Sequence, residues 1–142
     1  MYNYMHTAIE EAKKSGKDVP VGAVVVKDGK IISVAHNLRE QDNDITAHAE
    51  ILAIRQAERT VANWRLDGCE LYVTLEPCPM CGWAILQSRI SKVYFGSYDL
   101  NYGAFSKCGL DKICKTDIEI HGGICEEECD MLLKDFFTDI RV

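Results

Sequence analysis

The sequence predicts an α/β fold of three layers, α/β/α, built around a five-stranded mixed sheet. Three observations carry that expectation. Residues 19–26 (VPVGAVVV) form a buried-strand run that ends at Asp28-Gly29, a dipeptide suited to two-residue hairpin turns, so the first two strands pair antiparallel. From the third strand onward, strand runs alternate with helix-length segments, which implies parallel pairing through crossover helices. Two helix-start signals, Thr46 before Ala47 and Cys78 before Pro79, place helix N-termini beside strand ends, where open α/β sheets build their ligand sites.

In chain order, Tyr4, Ala8, Ile9 and Ala12 recur at helical spacing and predict a first helix over 3–17, with Gly16 near its end. The hairpin strands follow, the second at 31–35. Residues 36–40 lead into a polar loop over 41–44, and a helix over 47–61 returns the chain to the sheet. Residues 70–75 (ELYVTL) form a β-rich third strand. Cys78 then caps a short helix that carries Pro79 in its first turn, where a proline costs nothing. A fourth strand (91–97), a mixed segment (99–115), a short fifth strand (117–121) and a last helix (125–140) complete the chain. A length of 142 residues fits one domain over 1–142 with a core of its own.

The chemistry is concentrated in two short stretches. Ala47-His48-Ala49-Glu50 and, downstream, Pro77-Cys78-Pro79-Met80-Cys81 together read H-x-E … P-C-x-x-C. They supply one imidazole, two thiolates and one carboxylate, the ligand set and proton carrier of a zinc-dependent deaminase. Three protein ligands leave the fourth tetrahedral position of Zn²⁺ to water, and that open position separates a catalytic site from a structural one. Both cysteines sit at a helix N-terminus, whose positive end favours the thiolate. Taken singly, the residues mean less: a lone C-x-x-C is more often half a structural zinc site or a redox pair, and a lone His or Glu an ordinary core or surface residue.

Composition narrows the classes further. Nothing resembles a linker, a repeat or a low-complexity tract. The first residues, Met1-Tyr2-Asn3-Tyr4, show no basic region leading into an apolar stretch, which reads as a soluble, cytoplasmic protein. The seven cysteines are then expected as reduced thiols, and their odd number fits no complete disulfide framework. Cys108, Cys114, His121, Cys125 and Cys129 match no zinc module by spacing. Net charge is −6, but the excess lies in residues 116–142, which hold 8 acidic and 2 basic residues, against 14 of each in residues 1–115. An acidic balance would argue against a nucleic-acid partner only if that tail shared a face with the site.

On VPVGAVVV (19–26), AHNLRE (35–40), TAHAE (46–50), NWRLDG (63–68), LYVTLEPCPMC (71–81) and SRI (88–90), the chain resembles the bacterial tRNA adenosine deaminases of the cytidine deaminase-like superfamily. The resemblance implies a cytidine deaminase-like domain that converts adenosine to inosine at the wobble position of a tRNA anticodon. It further implies one Zn²⁺ per subunit, a homodimer, and an arginine tRNA with anticodon ACG as the partner. Matched by motif, His48, Cys78 and Cys81 are zinc ligands and Glu50 is the proton shuttle. Asn37 matches an asparagine that hydrogen-bonds the target base, and Asp99 an acidic residue near the target sugar. Read from composition alone, Asn37 is a turn amide and Asp99 a loop cap.

Departures from the resemblance gather after Ser97. Asn101 stands where a basic residue is common, and Ser106-Lys107-Cys108-Gly109 replaces a Gly-Ser-Leu-Met-like run. Trp83 fills a position usually small, near the dimerising surface. Tyr98, Tyr102 and Phe105 are candidates for base stacking, with Lys107, Lys112 and Lys115 for phosphates. These departures leave a second reading, a deaminase of a free nucleobase or nucleoside of guanine, cytosine or adenine type. A third, a non-catalytic RNA- or partner-binding relative, has no use for the complete set of His48, Glu50, Cys78 and Cys81.

Overall fold

A computed structural model describes residues 2–114 and 116–140. Five strands form one sheet in the order β2-β1-β3-β4-β5. β1 (Gly22–Lys27) and β2 (Lys30–His36) are joined by the expected tight turn, with Asp28 and Gly29 both at positive φ (51° and 75°), as a hairpin matched to strand twist requires. β1 also pairs antiparallel with β3 (Cys69–Leu75). β3 and β4 (Lys92–Ser97), and β4 and β5 (Glu119–His121), pair parallel, so the sheet is mixed as predicted.

The strands sort their side chains by the two-residue period into two cores. Val25, Leu71, Val73, Val93 and Phe95 face α3 (Ala49–Val61) and α4 (Pro79–Gln87). Val24, Val26, Tyr72 and Tyr94 face α1 (Tyr2–Ala12) and α6 (Glu126–Ile140). Each large side chain wholly removed from water contributes about 1.5–3 kcal/mol, so both layers are held chiefly by this apolar burial. α1 lies so close to β1 that a Cβ on Gly22 would run into the carbonyl oxygen of Ala8.

Three expectations need correction. The first helix ends at Ala12 rather than Lys17: Lys14 N–H bonds the Glu11 carbonyl, Ser15 N–H the Ala12 carbonyl, and Gly16 turns the chain at φ 63°. The second major helix starts at Ala49, and Thr46 does not cap it, because the Thr46 hydroxyl bonds Asp44 Oδ1 at 2.7 Å. Two short helices, α2 (Arg39–Asp42) and α5 (Leu110–Ile113), occupy stretches expected as loop or mixed structure. Among the described residues, no helix is long and apolar enough to cross a membrane.

Candidate active site

His48 occupies the last extended position before α3 (φ −77°, ψ 148°), and Cys78 the equivalent position before α4 (φ −73°, ψ 170°). Neither side chain caps its own helix. They project instead toward one another. His48 Nδ1 lies 3.7 Å from Cys78 Sγ and 3.4 Å from Cys81 Sγ, and the three donor atoms all fall within 4.8 Å of one another. Two ligands on a tetrahedral zinc, with the usual Zn–N and Zn–S lengths, stand roughly 3.6 Å apart. One imidazole and two thiols at this separation fit zinc in both geometry and donor softness.

Charge is already distributed for such an ion. The hydrogen bond from Cys81, aided by His48, brings the Cys78 thiol down to about 4 despite its burial. Cys81, hydrogen-bonded to Cys78 and itself buried, is pushed up, and His48 is raised by its bond to Cys78. Cys78 is thereby inclined toward the thiolate that a cation binds. Glu50, in the first turn of α3, is only 4 % exposed. Burial lifts its carboxyl to about 7, against the opposing pull of His48. A carboxyl with that affinity for protons can both accept and return one near neutral pH.

The cluster opens onto a cavity of about 310 Å³, whose wall includes His48, Glu50 and Cys78, together with Asn37 and Asp99. All six residues predicted from the sequence therefore gather at one place, with Cys81 behind the wall and without accessible surface. Asn37 is occupied on both sides of its amide: Oδ1 accepts from Ala49 N–H at 2.8 Å, and Nδ2 donates to the Val19 carbonyl at 2.9 Å. It thus serves the first free N–H of α3 from outside that helix. Asp99 Oδ1 accepts from the N–H groups of Asn101 and Tyr102, which is the loop-capping arrangement read from composition.

The stacking candidates divide. Tyr102 is exposed and lines the cavity. Phe105 is buried in the core and unavailable. Tyr98 packs edge-on against Phe95, with centroids 4.9 Å apart. Lys107 and Lys112 are exposed, whereas Lys115 lies outside the described residues. Trp83 fills no interior pocket: it is exposed on α4, beside a separate hollow of about 500 Å³. Sequence reasoning missed Arg39 and Glu76, both on the cavity wall. Arg39 arrives there on α2, which Asp18 anchors by accepting Glu40 N–H at 3.1 Å.

Residues 2–97 match the family model described as the cytidine and deoxycytidylate deaminase zinc-binding region. A tRNA-specific adenosine deaminase of Aquifex aeolicus is 52% identical, over 97% of this chain and 94% of that protein. The enzyme of the same name from Bacillus subtilis is 45% identical, over 97% and 89%. A solved structure from work on A-to-I editing by tRNA:A34 deaminases superposes with a TM-score of 0.89 at 39% identity, covering 94% of this chain and all of that one.

Proposed function

The chain belongs to the zinc-binding cytidine and deoxycytidylate deaminase family, and among its members to the tRNA-specific adenosine deaminases; from that membership we propose that it converts adenosine 34 of tRNA to inosine. The observation that carries the reading is the meeting of His48, Cys78, Cys81 and Glu50 at one cavity. His48, Cys78 and Cys81 would hold one zinc per chain. The chemistry a bound zinc supplies is a water acidified toward neutrality.

Glu50 carries the protons. It takes one from the attacking water and delivers it to N1 of adenine, which draws electrons from C6. It then takes the second proton of that water, from the hydroxyl now on C6, and passes it to the departing amine, so that water is consumed, the C6–N6 bond breaks, the C6 carbonyl forms and ammonia leaves. Asn37 holds the first turn of α3, and with it His48 and Glu50, in place; the second N–H of its amide is the group that would meet the base. An anticodon loop presents adenosine unpaired, so only stacking has to be given up on entry to the cavity and the cost is small. Arg39, Lys107 and Lys112 would meet phosphates. We further assign a homodimer that uses the α4 surface bearing Trp83, an arginine tRNA with anticodon ACG, and the cytoplasm as the place of work.

The test is nucleoside analysis by mass spectrometry after incubating zinc-loaded protein with that tRNA. Inosine at position 34 alone is the expected result. Glu50→Gln should retain zinc and lose at least about a thousandfold in turnover. Ammonia release from guanine, cytosine or adenine, with no inosine formed in tRNA, would overturn the substrate in favour of a small-molecule deaminase.

A further inference from the structure

Glu76 is 1% exposed and directly precedes Pro77 and Cys78, and its carboxylate bonds the segment that follows β4. Its carboxylate accepts four hydrogen bonds there. Asp99 N–H and the Ser106 hydroxyl reach Oε1 at 3.1 and 2.7 Å; Phe105 N–H and Ser106 N–H reach Oε2 at 3.2 and 2.8 Å. No basic side chain pairs with it among the described residues. A buried carboxylate satisfied wholly by one loop's N–H and O–H groups is a clamp on that loop, since each of these bonds loses its desolvated partner if the loop departs.

The clamp extends to the cavity. Asp99, held by its N–H, in turn accepts from Asn101 and Tyr102, so a continuous chain of bonds runs from Glu76 to Tyr102. Gly103 fits the same design: its φ is not left-handed, but a Cβ there would stand on the Glu76 carboxylate. Glycine at this position supplies room for the clamp rather than conformational freedom.

We propose that Glu76 is a positioning residue for substrate, fixing the 99–106 loop as one wall of the cavity and so setting where Asp99 and Tyr102 meet the target nucleotide. The substrate half of this proposal rests on the tRNA reading above; the clamp itself does not. Two variants separate them. Glu76→Gln presents an amide NH₂ to N–H donors, and Gly103→Ala displaces the loop while leaving the carboxylate intact.

Hydrogen exchange, zinc content, and inosine formation on an anticodon stem-loop are measured for both variants and the wild type. Both variants should retain one zinc per chain. The amides of Asp99, Phe105 and Ser106 should exchange on the order of a hundredfold faster. KM should rise about tenfold, with kcat per zinc-loaded chain changed less than about threefold. Unchanged exchange in both variants overturns the clamp. Faster exchange with unchanged KM, or a kcat that falls only in step with lost zinc, overturns the role in holding substrate. Should the wild type form no inosine, the tRNA reading fails, and exchange alone decides the clamp.

Discussion

Asn37 works inside the protein as well as at the cavity. Its Oδ1 serves the Ala49 N–H, and its Nδ2 ties that helix start to Val19. Asn37→Ala should therefore destabilise the fold by about 1–3 kcal/mol, measured by chemical denaturation of the zinc-loaded protein, because the Ala49 N–H is buried and gains no water in exchange, while the half-buried Val19 carbonyl loses its donor. Asn37→Asp, which keeps the acceptor for Ala49, should recover part of that loss. At this scale the sequence is uneven evidence. His48, Glu50, Cys78 and Cys81 are legible because their spacing itself encodes the ligand set. Glu76 is not, because three of the four donors it meets are backbone or backbone-like groups more than 20 positions away, and backbone groups leave no mark on residue identity. Its place between Leu75 and Pro77 reads only as a polar end to a strand.

The elements were legible where local chemistry is strong and obscure where tertiary bonds decide. Asp28-Gly29 specified its hairpin, and Cys78-Pro79 its helix start, from neighbouring residues alone. The start of α3 was displaced by two residues because a distant amide, Asn37, satisfies the helix instead of Thr46. α1 is likewise secured from outside: His36 Nδ1, at the end of β2, lies 2.8 Å from Glu11 Oε1. Burial pushes the Glu11 carboxyl up, but its bonds to His36 and Lys14 outweigh that and leave it below the ordinary value of 4.5. A depressed carboxyl stabilises the folded state above its unfolded pKa, and that contribution is lost as pH falls through the folded value. Glu11→Gln should cost about 1–2 kcal/mol at pH 7, and the gap from wild type should close as pH drops below 4.5, as urea denaturation at both pH values would record.

Across the whole molecule, the sheet separates two kinds of surface. α6, which begins Glu126-Glu127-Glu128, lies with α1 on one face, while α3 and α4, whose N-termini frame the cavity, lie on the other. The net charge of −6 is therefore a poor guide to what the cavity side attracts. If Arg39, Lys107 and Lys112 each meet a phosphate, anticodon stem-loop binding should fall with salt at a log–log slope of roughly −2, measured by fluorescence anisotropy; a flat dependence would remove those contacts. The mixed sheet was readable from hairpin and crossover signals, but the partition of charge between its faces needed the three-dimensional order of the helices. The unequal depth of the two cysteines carries one more consequence. Cys78 borders the cavity and Cys81 has no surface, so of the two thiols only Cys78 is open to an ion or reagent that enters through the cavity. A base seated in that cavity would stand between Cys78 and solvent, so exchange of a bound metal should be slower with substrate aboard than between turnovers, as chelator-driven zinc loss with and without an anticodon stem-loop would record.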